Sequence, residues 1–170
     1  MNITLDEKIK FIGRDKFVKF TNTDEFPELS EEVRNFLKNI GIYSNEKGYP
    51  YLTINGKLKK FKENCIQFGE GHVGTIYYID ILDGERIKGH DEDEDYTSLI
   101  NSSILKYINC LYALYYYTDE IEDKEIYGEY WKNHKKYAAK LKELFEEYEP
   151  NIEKYSTWAG RVEEMDLGII

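Results

Sequence analysis

The sequence predicts an α+β fold, in which a mainly antiparallel sheet is flanked by helices. The first observation is a run at residues 75–82 that is apolar, aromatic and β-branched together, which suits a half-buried central strand. The second is the dipeptide Asp83-Gly84, which follows at once and favours a two-residue hairpin turn into a strand at 85–88. The third is a set of segments with helical periodicity on either side of this hairpin. We expect one domain over residues 1–170, with a core at about 26–117 and a helical C-terminal extension at about 118–165.

Two short helices are predicted before the sheet. Thr4 and Glu7 fit a capping box for a helix that ends at Gly13. A brief extended piece should follow at 17–20. Ser30 then caps a second helix, which Gly41 ends as a C-terminal glycine.

Two further strand signals precede the central run. Residues 51–54 and 58–61 surround Asn55-Gly56 and predict a hairpin, whose second strand is an edge protected by lysines. Residues 65–68 alternate apolar and polar side chains before a glycine-rich loop, and we expect a third strand of the central meander there.

The remaining elements follow the meander. The run at 90–95 begins with His90 and continues with five carboxylates, so we expect a solvated loop that cannot extend the sheet. A third helix opens after residues 101–103 and has an apolar face wide enough for deep burial across the sheet. A fourth is predicted at about 124–148 and ends before Pro150. A short one follows through Trp158, Val162 and Met165.

Composition restricts the class of function. The 170 residues carry 33 acidic and 23 basic side chains, a net charge of −10, so direct binding to nucleic acid is disfavoured. The apolar runs are far shorter than the roughly 20 residues of a membrane span, and no export signal precedes them, so we expect a soluble, cytoplasmic protein without a membrane partner. Cys65 and Cys110 lack the spacing of a zinc or disulfide framework, and we expect both to be reduced core residues.

Candidate chemistry is sparse, and we expect no catalytic residue, cofactor or metal. His72 lies in a glycine-rich loop that lacks the arrangement of a phosphate-binding loop and carries Glu70, which opposes an anion. His134 falls on a helical apolar stripe and is best explained as a rim histidine. The acidic run lacks the alternation and glycine of an EF-hand loop. A solvated loop is favoured there, and a protein-binding surface that mimics polyphosphate stays open.

Sixteen tyrosines are a second unusual feature. Most fall on helical or strand periodicities and are expected in the core. The tyrosines at 112, 115, 116 and 117 cannot all face one way on a helix, so at least one should be exposed and available for contact.

The order of motifs resembles the SUKH superfamily of bacterial immunity proteins. Phe68-Gly69, Tyr78-Ile79-Asp80 and Asp83-Gly84 stand in the order of that family's strand and turn motifs. The helix opening with Asn101, Ser102, Ser103 and Ile104 completes the pattern, and the likeness covers about residues 26–117.

The resemblance implies an α+β fold and a non-enzymatic protein that neutralises a polymorphic or contact-dependent toxin, often a nuclease, by binding it in the cytosol. An acidic protein suits a basic toxin domain. We therefore predict partner contacts at Asp91, Glu92, Asp93, Glu94, Asp95 and Tyr116. Two alternatives stay open: a general intracellular scaffold or regulator with the same fold, and a hydrolase using Glu70 and His72. The sequence leaves the oligomeric state open.

Overall fold

The structure, a computed structural model, describes residues 3–72, 74–124 and 130–169. The side chains of residues 120–124, 130 and 131 also lie outside the described part. The chain divides into two compact units: one contains residues 13–104, and the other contains residues 1–12 with residues 105–170. The predicted α+β class is confirmed, with antiparallel sheets and C-terminal helices.

Within its described residues, the unit of residues 13–104 contains two antiparallel sheets and one α-helix. A five-stranded sheet has the order β3-β4-β5-β6-β7, so every strand pairs with its neighbour in the chain. A two-stranded sheet joins β1 to β2. The strands are β1 Phe17–Val18, β2 Ile42–Tyr43, β3 Lys59–Lys62, β4 Cys65–Glu70, β5 Thr75–Asp80, β6 Arg86–Asp91 and β7 Tyr96–Asn101. The helix is α2, Glu31–Asn39.

The predicted central strand is the middle strand, β5, of the larger sheet. Ile79 on β5 lies opposite Ile66 on β4 and Ile87 on β6, and all three side chains are fully buried. Residues paired directly across antiparallel strands share one face of the sheet. This row of isoleucines is therefore the apolar centre of the buried face.

The predicted hairpin of residues 51–54 with 58–61 is wrong. Leu52 bridges to Asn45, and Thr53 bridges to Glu70 at the end of β4. The lysine-rich segment does form an edge strand, as predicted, but β3 pairs with β4.

The turn between β5 and β6 is longer than predicted. Asp80 and Arg86 form the last pair, so residues 81–85 make the connection, and the Glu85 N–H donates to the Asp80 carbonyl at 2.8 Å. Both Gly84 and Glu85 have positive φ. Lys88 on β6 closes this end of the hairpin, since its Nζ lies 2.9 Å from an Asp80 carboxylate oxygen and 2.7 Å from one of Asp83.

Helix α2 begins and ends as predicted. The Val33 N–H donates to Ser30 Oγ at its start, and Gly41 follows its end with φ of 88°. A Cβ at Gly41 would overlap the Val18 backbone, so glycine is required there by space as well as by conformation.

The other unit is helical. Its helices are α1 Leu5–Ile12, α3 Ile104–Lys124, whose first residue belongs to the preceding unit, α4 Tyr130–Glu146 and α5 Ser156–Asp166. The N-terminal helix therefore groups with the C-terminal helices. Residues 125–129, within the predicted fourth helix, lie outside the described residues.

The core of the helical unit is aromatic and includes the predicted final helix. Trp158 on α5 is fully buried, and its ring lies 5.3 Å from that of Phe145 and 5.7 Å from that of Tyr107. Lys8 on α1 is also buried, with its Nζ 2.8 Å from Asn109 Oδ1 and 4.4 Å from the centre of the Tyr148 ring. Burial lowers the pKa of Lys8.

Candidate functional site: the acidic β6–β7 hairpin

The acidic run forms the end of a β-hairpin. We expected a loop over residues 90–95 that cannot extend the sheet, but His90 and Asp91 belong to β6. Asp91 pairs with Tyr96, the first residue of β7, so only residues 92–95 form the turn. The expectation was wrong because alternate residues of a strand can direct charged side chains to solvent while the backbone pairs. We call residues 92–95 the acidic turn.

The local sequence explains why this turn is tight. Asp91 Oδ1 accepts hydrogen bonds from the N–H groups of Asp93 at 3.0 Å and Glu94 at 3.2 Å. This is the arrangement in which an aspartate side chain organises its own turn. Asp95 closes the turn with φ of 47°, a conformation that aspartate tolerates better than most residues. Asp91 therefore positions the acidic turn as well as adding charge to it.

Charge is concentrated at this hairpin. Residues 13–104 contain 17 acidic and 12 basic side chains, so five carboxylates at 91–95 equal the whole acidic excess of their unit. Asp91 is half-buried, whereas Glu92, Asp93, Glu94 and Asp95 are exposed, with 95% of the Asp95 side chain accessible. The unit thus presents its net negative charge at one end of one hairpin.

The base of the hairpin is packed around His90. Its side chain is almost fully buried, and Nδ1 lies 3.0 Å from Thr97 Oγ1 on β7. Its ring centre lies 5.5 Å from that of Phe61, which is 5.4 Å from the ring of Tyr78. Burial raises the pKa of Tyr78, although a hydrogen bond with Thr97 opposes the change. These contacts pack the base of the hairpin against aromatic side chains of β3 and β5.

Tyr96 is an exposed aromatic residue beside the acidic turn that the sequence prediction did not include. It follows the acidic turn directly, and 60% of its surface is exposed. Exposed tyrosines contribute large contact areas in protein interfaces. The available signal was an aromatic residue beside a charged run. A loop over residues 90–95 with no strand after it gives Tyr96 no defined position, so the sequence does not predict its exposure.

Tyr116, the other predicted contact, lies on α3 in the helical unit. It is 39% exposed, as the expectation of at least one exposed tyrosine requires, and its ring stacks on Tyr112 at 5.7 Å. It lines a groove of about 690 Å³ between α3 and α4. Tyr116 and the acidic turn belong to different units.

The other candidate groups of the sequence are Glu70, His72 and His134. Glu70 exchanges backbone hydrogen bonds with Thr53 and lines a small cleft of about 50 Å³ that His72 does not line. His72 is exposed, with its ring 5.2 Å from that of Tyr51. His134 is half-buried, and its Nδ1 lies 2.7 Å from the Asp166 carbonyl oxygen, which fits a rim histidine.

Cys65 and Cys110 differ in burial. Both cysteines are free thiols, but only Cys110 is buried, so the expectation of two core cysteines fails for half-buried Cys65. Burial raises the pKa of the Cys65 thiol, and the Asp80 carboxylate adds to the shift. Within residues 3–72, 74–124 and 130–169, no three histidine, cysteine, aspartate or glutamate side chains are grouped to hold a metal ion.

Comparisons with known proteins leave the family open. No family model matches the chain, no curated protein matches it, and no solved structure matches it. The resemblance to the SUKH superfamily therefore rests on the sequence motifs alone. Among the described helices, none combines the length and apolar character needed to cross a membrane.

Proposed function

We propose that this protein is a non-enzymatic immunity protein that binds and neutralises a basic toxin domain through the acidic hairpin. The observation that carries the proposal is the concentration of exposed carboxylates at residues 92–95, next to exposed Tyr96. The resemblance to SUKH proteins supplies the class of partner. It also places the encounter in the cytosol of the cell that makes the toxin.

The charge distribution supports a basic partner. Nuclease toxins are a suitable class because an enzyme that holds nucleic acid needs basic residues for the phosphates. A local group of carboxylates attracts such a surface before contact and speeds association at low salt. Tyr96 adds an aromatic surface beside these charges, and tyrosine is frequent among the residues that dominate binding energy.

The test is a binding titration with the product of any toxin gene adjacent to this one, using the wild-type chain and a variant of the acidic turn. Glu92→Gln with Glu94→Gln removes two exposed charges and keeps Asp91 and Asp95, which shape the turn. We expect Kd to rise by about tenfold, because each lost charge contact contributes up to about 1 kcal/mol. The loss should lie mainly in the association rate and should shrink at high salt.

The matched control is Glu146→Gln with Glu147→Gln at the end of α4. It removes the same amount of charge from exposed positions in the helical unit. We expect a change in Kd smaller than about twofold. Equal effects of the two variants, or an affinity independent of salt, would show that total charge or another surface governs binding. A neighbouring gene product without toxin activity that binds this hairpin would favour the scaffold alternative.

A further inference from the structure

The two edges of the five-stranded sheet differ in their protection. The β3 edge carries three lysines within four residues, and its pairing with β4 is irregular between Lys60 and Lys62. Lysines and bulges are the features by which proteins prevent a further strand from pairing with an exposed edge. The β3 edge is therefore poorly suited to accept another strand.

The β7 edge has none of these features over its first part. Tyr96–Asn101 contains no charged residue and no proline, and its pairs with β6 are regular from Tyr96 to Leu99. The only irregularity falls after Leu99. Tyr96 and Thr97 are exposed, and Ser98 and Leu99 are half-exposed. In the described part of the chain, β7 has a strand neighbour on one side only.

An open edge offers backbone groups to a partner. In an antiparallel pair, successive residues direct their N–H and C=O groups alternately toward the neighbour and away from it. Across residues 96–99, half of these groups are used by β6, and the other half face away from it. An extended peptide that pairs with them gains main-chain hydrogen bonds, and its alternate side chains supply specificity.

The charges identify the kind of strand that fits. The acidic turn precedes β7 immediately, so a segment paired with β7 would have one end beside Glu92, Asp93, Glu94 and Asp95. A second copy of this chain fits poorly, because each copy carries a net charge of −10. A β-prone segment with flanking lysines or arginines satisfies both the open backbone and the carboxylates.

We propose that the partner protein adds a strand to the β7 edge, through an extended segment with basic flanks that the acidic turn holds in place. This inference rests on the proposed function and names the mode of binding at the same hairpin. The turn supplies attraction and orientation, and the β7 backbone supplies the directional contacts.

The test uses synthetic peptides of alternating valine and threonine with lysine pairs at both ends. One peptide has normal amides, and a matched peptide carries N-methyl groups at alternate central residues, which removes donors without changing charge. Amide proton exchange in the full chain is measured by NMR. The normal peptide should slow exchange at residues 96–99 and leave Lys59–Lys62 unchanged, and N-methylation should weaken binding by about tenfold.

A pair of protein variants provides a second measurement. Ser98 and Leu99 are successive residues in the regular part of β7, so one N–H faces β6 and the other faces away. Ser98→Pro and Leu99→Pro each remove one of these donors. The variant with proline at the outward-facing residue should keep a cooperative thermal transition and bind the normal peptide about tenfold more weakly. If both variants unfold, the exchange measurement decides.

The outcomes separate strand addition from simple charge attraction. Strand addition is overturned if both peptides bind equally well, if neither binds, or if amide exchange changes only in the acidic turn. It is also overturned by protection of residues 96–99 that appears without peptide and grows with protein concentration, since a second copy then occupies the edge. If the toxin domain binds in a manner sensitive to Glu92→Gln with Glu94→Gln but leaves β7 exchange unchanged, strand addition fails while the proposed function stands.

Discussion

Asp91 allows the shape of the acidic turn to be tested separately from its charge. Asp91→Ala removes the carboxylate and with it both hydrogen bonds from the N–H groups of Asp93 and Glu94, whereas Asp91→Asn removes the charge but keeps an oxygen at Oδ1. Each bond lies at an exposed turn, so we assign about 0.5 kcal/mol to each and about 1 kcal/mol to the pair. Both substitutions remove the same charge repulsion within the acidic run. The difference between their free energies of unfolding therefore measures the contribution of the two turn hydrogen bonds.

We expect the free energy of unfolding of Asp91→Ala to fall about 1 kcal/mol below that of Asp91→Asn, a difference of about 2–4 °C in Tm for a chain of this size. Far-UV circular dichroism in urea is the suitable assay, because Trp131 and Trp158 both belong to the helical unit and their fluorescence would not report the hairpin directly. Toxin binding should weaken more in the alanine variant than in the asparagine variant. Two variants with the same stability and the same affinity would refute an organising role for Asp91.

Two further predictions concern the unit of residues 13–104. Gly41→Ala should lower the free energy of unfolding by more than about 3 kcal/mol, because its Cβ would overlap the Val18 backbone. Gly84→Ala should lower the free energy of unfolding by only about 1 kcal/mol, because only the positive φ is unfavourable for alanine there. Equal urea midpoints for the two variants would contradict this reasoning. The hydrogen bond from Lys88 holds the pKa of Asp83 below its ordinary value; burial lowers the pKa of Lys88, but its bonds to Asp83 and Asp80 raise it overall. The ion pair therefore makes its full contribution to folding stability between the ordinary aspartate pKa of about 3.9 and the ordinary lysine pKa of about 10.4. That contribution is lost when the pH falls through the lowered pKa of Asp83. It is also lost when the pH rises through the raised pKa of Lys88. Urea titrations of Lys88→Met should show a deficit against the wild type at pH 7 that shrinks outside these limits, and a deficit independent of pH would contradict the assignment.

Local signals predicted the starts of α1 and α2 and the central strands well. The capping box forms as expected, with the Thr4 N–H donating to Glu7 Oε2 at 2.8 Å and the Glu7 N–H donating to Thr4 Oγ1 at 3.3 Å. Ser30 caps α2 in the same local way. Such contacts join residues three positions apart, so the sequence contains both partners in one window. The apolar run of β5 was equally clear because a strand buried in the middle of a sheet needs such residues.

The wrong hairpin at residues 51–61 has a non-local cause. The segment after Gly56 is held by Asn22, whose Oδ1 accepts from the Leu58 N–H at 2.8 Å and whose Nδ2 donates to the Leu58 carbonyl at 3.0 Å. The Gly56 carbonyl in turn accepts from the Thr21 N–H at 3.0 Å. An amide side chain far away in sequence thus takes the place of a pairing strand, and no property of Asn55-Gly56 reports it.

The candidate site was likewise predictable in its local features but not in its non-local ones. Its charge was evident in the sequence, because five consecutive carboxylates cannot be buried. Its geometry was not, because Tyr96–Asn101 is polar at its start and runs into Ser102 and Ser103, which favour a helix cap. Its assignment as a strand depends on pairing with β6, a contact between segments on either side of the turn.

The lysines of β3 favour a directed encounter with a basic partner. Residues 59–62 contribute three positive charges at one edge of the sheet, while the acidic turn follows β6 and precedes β7 at the other edge. Since the five carboxylates at 91–95 equal the acidic excess of this unit, its field resembles a dipole across the sheet more than a uniform negative charge. A basic partner is attracted to the β7 side and repelled from the β3 side. The edge that is open to backbone pairing is therefore also the edge toward which such a partner is steered.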